Sequence, residues 1–213
     1  MVIIATLQLF YPFLTNLPGF DRMSLSTEKE FEMGKKQPVF PPMTNSKICI
    51  GVDPGTTGAI AFLGVEAGKI EKVSIIDYAD PIVKDYLRSV SDRAAFGLSS
   101  VSAIVEEVGM RPGQDVRRVS KYVVHHGIIQ GWLQMLSTSY KLVNPRTWQA
   151  SIYRSIGANQ PATDFNDVKP RHLAIARHEY AGWPDVLAAI TRCKDHNRAD
   201  ALLIAHYGFL LAR

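Results

Sequence analysis

Three apolar segments with only short turns between them, Lys47–Asp53, Gly58–Gly64 and Lys69–Ile76, restrict this chain more than any other feature. Each is too short for a helix and is closed by turn residues, Asp53-Pro54-Gly55 after the first and Glu66-Ala67-Gly68 after the second. Such spacing predicts a three-strand antiparallel meander. From there the pattern alternates. Asp80 to about Arg93 predicts a helix with Ile82, Tyr86, Leu87 and Val90 on one face, and Val101–Val108 a fourth strand. Asp115 is a natural cap for a long helix to about Leu136. Tyr140–Val143 predicts a short fifth strand ended by Asn144-Pro145. Thr147–Tyr153 and Lys169–Tyr180 predict two further helical pieces, and Asp195 can cap a last helix to Leu211. The sum is an α/β domain with a five-stranded mixed sheet, three antiparallel strands then two parallel, flanked by helices.

At 213 residues the chain suits one domain plus a tail. Residues 47–213 form the domain and residues 1–46 an N-terminal extension, read as disordered or as a mis-assigned start. Its apolar stretch Val2–Leu14 is too short to cross a bilayer and follows no Lys or Arg. Two cysteines, Cys49 and Cys193, are too few for a disulfide scaffold and point to a reducing, cytoplasmic setting, with an organelle left open. The net charge is +4. Four acids and four bases cancel within residues 1–46, so the whole excess belongs to the domain, which permits a nucleic-acid partner.

Carboxylates stand where such a sheet binds ligands, beyond the carboxyl ends of its strands. Asp53 ends the first strand and Glu106 lies near the end of the fourth. Asp200 opens an otherwise uncharged run, Ala201–Ile204, with Asp195 five residues earlier. A carboxylate inside an apolar element is costly unless paired or bound to a cation. Singly, each has a plain structural reading: a capped turn for Asp53, a surface position for Glu106, a helix cap for Asp195, an ion pair with Arg198 or Lys194 for Asp200. Together they make an oxygen-only site that suits Mg²⁺, with Mn²⁺ as a substitute, rather than zinc. Two such ions about 4 Å apart can activate a water and stabilise the leaving oxygen of a phosphodiester.

Gly51-Val-Asp-Pro-Gly-Thr-Thr-Gly58, Ile104-Val-Glu-Glu-Val-Gly109 and Lys194-Asp-His-Asn-Arg-Ala-Asp-Ala-Leu-Leu-Ile-Ala205 follow one another in that order. In that order the chain resembles the RuvC-type Holliday junction resolvases of the RNase H-like superfamily. It is most similar to the phage, bacterial and chloroplast branch whose last motif reads Lys-Asp-His-Gly-Arg-Ala-Glu-Ala. Arg111-Pro-Gly-Gln114 and Pro145-Arg-Thr-Trp148 fit as well, and the resemblance covers about residues 47–212. It implies an RNase H-like fold and a structure-selective endonuclease with two metal ions per site, making paired symmetric nicks in four-way DNA junctions as a homodimer. Asp53, Glu106 and Asp200 match its metal-binding acids. Asp195 matches the acid of the Lys-Asp-His motif as fourth ligand, with His196 and Asn197 as alternatives. Lys169 matches a helix-leading lysine that could steady the charged phosphate. Gly109 and Met110 stand where some members carry an aromatic wedge.

Basic residues for DNA phosphates fall in groups: Arg111, Arg117, Arg118 and Lys121; Lys141, Arg146 and Arg154; Lys169, Arg171 and Arg177. Trp148 is read as core packing before a base stack. Val119, Val123, Ile128 and Leu133 stripe the long helix, part for the sheet and part for a two-fold axis. Three rival readings stand beside the resolvase. One is another nuclease of the superfamily, acting on RNA–DNA hybrids or flaps. One is a junction-binding protein that does not cut. The third is a sugar-kinase or actin-like ATPase lobe, suggested by Asp53-Pro-Gly-Thr-Thr57, although those proteins need two lobes.

Overall fold

A computed structural model of the chain describes residues 46–107, 109, 115–157 and 168–213, the side chain of Arg118 aside. The extension up to residue 45, the segment with Arg111, Met110 and Gln114, and residues 158–167 lie outside the described residues. Strand β1 (Ser46–Asp53) begins one residue before the predicted boundary, where a buried hydrogen bond of 2.9 Å joins the Ser46 and Ser99 hydroxyls.

The remaining elements are β2 (Ala59–Glu66), β3 (Lys69–Asp77), α1 (Ile82–Ala95), β4 (Ser99–Glu106), α2 (Val116–Met135), β5 (Ser139–Val143), α3 (Pro145–Ile156), α4 (Val168–Glu179), α5 (Pro184–Ala189) and α6 (His196–Leu210). A single 3-10 turn, Cys193–Asp195, leads into α6. The sheet order is β3-β2-β1-β4-β5. β1 pairs antiparallel with β2, β2 antiparallel with β3, and β1–β4 and β4–β5 are parallel. This is the mixed RNase H-like sheet, three antiparallel strands followed by two parallel ones.

Local chemistry accounts for most of these boundaries. β2 and β3 turn over at Ala67-Gly68, both with positive φ (49° and 76°), as a tight two-residue hairpin turn needs. The Asp115 side chain accepts from the Arg117 N–H and starts α2, and Asn144 does the same for Arg146 at the start of α3. Alternation along β1 divides the core. Ile48, Ile50 and Val52 face α1 and α2, together with Ile129 and Leu133 of α2. Cys49 faces the layer that contains α3, α4, α5 and α6.

Of the expected stripe on α2, Leu133 faces the sheet and Val123 and Ile128 are exposed, with Ile129, outside the stripe, buried beside Leu133. Helix α5 was not anticipated, since six residues carry too little periodicity to declare themselves. Among the described residues no helix is long and apolar enough to cross a membrane.

Helix α6 is buried on nearly every side, with Ala199, Ala201–Ala205 and Tyr207–Phe209 all enclosed. It lies directly on β1 at Gly51. A Cβ there would stand 2.1 Å from the backbone nitrogen of Ala205 and 2.3 Å from the carbonyl oxygen of Ala201. Only a residue without a side chain lets the helix come this close, and the approach brings the first turn of α6 to the carboxyl edge of the sheet.

Candidate active site

Register brings the first two acids together. β1 and β4 run parallel with Val52 opposite Val105, so Asp53 and Glu106 stand level, one residue further along. Alternation puts both on the α6 side of the sheet, since Cys49 and Ile104 share that core. Asp200 reaches the same place from the fifth residue of α6, at the start of its second turn.

Burial and like charge dominate this corner. Asp53 is 5% exposed. Burial first, then the Asp200 charge, pushes its carboxyl up to about 7, while the Gly55 N–H and the Lys169 ammonium pull in the opposite direction. Glu106 is pushed up to about 8 by burial, then by Asp53 and Asp200. The buried indole N–H of Trp148 faces Glu106 and offsets part of this, without closing a full hydrogen bond. Trp148 is otherwise enclosed in the core, as its reading from sequence had it.

Tyr122 was missed by sequence reasoning. Its hydroxyl lies over Gly55, and burial followed by the charges of Asp53, Glu106 and Asp200 raises its pKa to about 12. Nothing in the sequence marks it; only the packing of α2 beside the Asp53–Gly58 turn brings it there.

The residues of Lys194–Asp200 part company in space. The Asp195 carboxylate, 4% exposed, accepts from the Arg192 backbone N–H at 2.8 Å and from its guanidinium at 2.7 Å, with Arg198 at 3.9 Å. It therefore does not cap α6 with its side chain, because these partners already occupy its oxygens. The Arg192 guanidinium holds its carboxyl below the usual range. His196 Nε2 lies 3.2 Å from Lys169 Nζ. The Asn197 amide donates to Thr57 O and Oγ1 at 2.6 and 2.8 Å, tying α6 to the Asp53–Gly58 turn. Arg198 clamps Asp77 at the end of β3, not Asp200. Asp200 instead meets His172 Nδ1 at 2.6 Å.

The structure thus brings Asp53, Glu106 and Asp200 into one electrostatic neighbourhood, with Lys169 acting on Asp53, and turns Asp195 toward the arginines. Their chemistry fits a hard divalent cation. They are oxygen donors, largely buried, and their mutual repulsion is a cost that a cation removes. Among the described residues no three His, Cys, Asp or Glu side chains are placed so that they could grip one ion, so the fit lies in donor type and charge rather than in a closed shell.

The basic groups lie apart from one another in sequence but mostly outward. Arg117 and Lys121 are exposed on α2, Arg146 at the start of α3, and Lys169 at the start of α4. Arg171 lies over the Tyr153 ring, its guanidinium carbon 4.0 Å from the ring centre. Arg111 and the Arg118 side chain are outside the described residues.

No family model matches the chain, and no curated protein does. Among solved structures it is similar to Thermus thermophilus RuvC in complex with Holliday junction substrate, at 14% identity over 78% of this chain and 95% of that one, with a TM-score of 0.42. A Thermus thermophilus RuvC structure gives 17% identity over the same shares and a TM-score of 0.38. The yeast mitochondrial Holliday junction resolvase Ydc2 gives 12% identity, 80% of this chain, 81% of that one and a TM-score of 0.46. In the order and direction of its strands, and in the motifs those strands carry, this chain has the RNase H-like fold and is similar to the RuvC-type resolvases.

Proposed function

We propose that the chain is a divalent-metal-dependent endonuclease that resolves four-way DNA junctions as a homodimer. The observation that carries this reading is the pair Asp53 and Glu106, level on adjacent parallel strands and faced by Asp200. Buried carboxylates that repel one another carry a cost above neutral pH that a bound cation would remove.

Asp53, Glu106 and Asp200 would hold Mg²⁺ or Mn²⁺. Asp195, the candidate fourth ligand, would have to exchange Arg192 for the ion. When bound, the metal supplies Lewis-acid stabilisation of phosphoryl oxygens and a water nucleophile at neutral pH. Lys169, whose charge already acts on Asp53, opposes the negative charge that builds on the attacked phosphate. Arg117, Lys121, Arg146 and Arg171, with Arg111 and Arg118 from the sequence, meet the DNA backbone without reading bases. The homodimer is supported by apolar side chains left open on α2: Val116, Val123, Val124, Ile128 and Met135. A second copy covering them would place two sites on the two strands of a junction.

The test is cleavage of a labelled synthetic four-way junction in Mg²⁺, beside linear duplex, flap and RNA–DNA hybrid, with Asp53→Asn as control. Paired symmetric nicks on the junction, lost in the variant while junction binding persists, are the expected result. Equal cutting of hybrid or flap overturns the resolvase in favour of a general nuclease of this fold. Tight junction binding with no cut in either Mg²⁺ or Mn²⁺ overturns the enzyme.

A further inference from the structure

Behind Asp200 lies a chain of polar groups that neither the acids nor the basic surface accounts for. His172 sits on α4, one turn beyond Lys169, and is 1% exposed. Its Nδ1 is 2.6 Å from Asp200 Oδ1, and its Nε2 is 2.7 Å from the Tyr153 hydroxyl. A carboxylate can only accept, so Nδ1 carries the proton, and in the neutral ring Tyr153 donates to Nε2. The ring also packs beside two tilted aromatic rings. Trp148 lies at 5.0 Å and Tyr153 at 5.9 Å between ring centres, and Arg171 stacks on the outer face of Tyr153. Both ring nitrogens are satisfied and the ring is buried.

We infer that His172 is a positioning residue for Asp200, fixing Oδ1 so that Oδ2 is presented to a divalent cation beside Asp53 and Glu106. The inference rests on the metal reading proposed above and adds to it a dedicated orienting group. Asp200 faces two other buried acids, and an unrestrained carboxylate would swing out of their field toward water. It is 17% exposed on its side chain, so that escape is open to it. The hydrogen bond from His172 closes it. Asp53 has the Gly55 N–H acting on it and Glu106 the Trp148 indole N–H facing it. Asp200 is the fifth residue of α6, one turn in from its start, and His172 is the group that meets its carboxylate. Partners of this kind behind a metal-binding side chain set metal affinity, with losses of roughly 10–100-fold on removal.

The experiment uses the full chain and Mn²⁺ as probe, with bound ion counted by electron paramagnetic resonance, thermal unfolding measured in parallel, and junction binding measured in EDTA. His172→Leu keeps bulk and removes the donor; His172→Asn keeps a donor where Nδ1 stood. The expected result is Mn²⁺ binding roughly 10–100-fold weaker in His172→Leu, most of it restored in His172→Asn, with junction binding in EDTA unchanged in both. Tyr153→Phe, which leaves the core filled, should weaken Mn²⁺ binding by a smaller factor. If His172→Leu folds and binds Mn²⁺ like the wild type, the positioning role is overturned and the metal site stands. If His172→Leu does not fold, unchanged Mn²⁺ affinity in Tyr153→Phe overturns the role instead. A folded wild type that binds no Mn²⁺ overturns the metal reading and this inference with it.

Discussion

Gly51 lies directly against the Ala201 carbonyl oxygen and the Ala205 backbone nitrogen, with no room for even a methyl group between strand β1 and helix α6. That contact sets the height of α6 over the sheet, and so the distance from Asp200 to Asp53. Replacing Gly51 with Ala puts a carbon 2.1 Å from a backbone nitrogen, and backbone cannot step aside as a side-chain tip can. Overpacking of this kind costs about 1–3 kcal/mol or more. Gly51→Ala should lower the urea midpoint, with a loss of unfolding free energy at the upper end of that range. It should also weaken Mn²⁺ binding in the fraction that remains folded. A wild-type midpoint would mean that α6 can lift without cost.

The buried acids make the metal-free protein sensitive to alkali. Asp53 and Glu106 are raised in the folded state to about 7 and about 8, against roughly 4 for free carboxyls. Between those limits the folded chain binds more protons than the unfolded one, so stability falls as pH rises. In EDTA the melting temperature should therefore be higher at pH 5.5 than at pH 8.5. Mg²⁺ should raise it more at pH 8.5, where the charges it offsets are present. Equal effects of Mg²⁺ at both values would separate the ion from these carboxyls.

Asp195 and Asp200 should respond oppositely to loss of charge. Asp195 is buried against Arg192 and Arg198, so Asp195→Asn should cost roughly 1–3 kcal/mol in chemical unfolding and leave Mn²⁺ affinity near wild type. Its carboxyl is held low, so its contribution is present at neutral pH and disappears on acidification. Asp200→Asn removes a like charge from beside Asp53 and Glu106. It should cost far less stability and abolish Mn²⁺ binding and cleavage. The reverse pattern would make Asp195 the ligand.

Asn197 ties α6 to the turn after β1 through Thr57. Asn197→Ala should lose about 1 kcal/mol of stability and loosen the Asp53–Gly58 turn, seen as faster amide exchange at Gly55 and Gly58. Exchange at wild-type rates would show that the turn is held by its own Gly58-to-Gly55 hydrogen bond.

Lys169→Met keeps the stem and removes the charge. Cleavage at saturating junction should fall by roughly 10²–10³-fold with little change in junction affinity. A loss confined to affinity would make Lys169 one more phosphate contact.

Most strands were legible because each is an apolar run of the right length between turn residues, and that signal is local. α2 was legible at its start for the same reason, since Asp115 acts within two residues; α3 begins at Pro145, two residues before the expected Thr147, because Asn144 caps it. Helix α5 and the exact sheet-facing side of α2 were not, because one is too short for a period and the other depends on what the helix packs against.

The motif from Lys194 to Asp200 marks the division most sharply. Its sequence alone put several polar side chains at the head of a buried helix, and the order of elements put that head near two strand-end acids. Which of those side chains faces the acids was decided only by folding. Successive positions on a helix turn by about 100°, so neighbours in sequence leave in different directions. Asp195 finds Arg192, His196 finds Lys169, Asn197 finds Thr57, Arg198 finds Asp77 and Asp200 finds His172. All but the first of these partners come from distant parts of the chain. Local propensity sets where a helix begins, whereas the rotation of that helix, and so the direction of each carboxylate, is set by the layer beneath it, here by the bare backbone of Gly51.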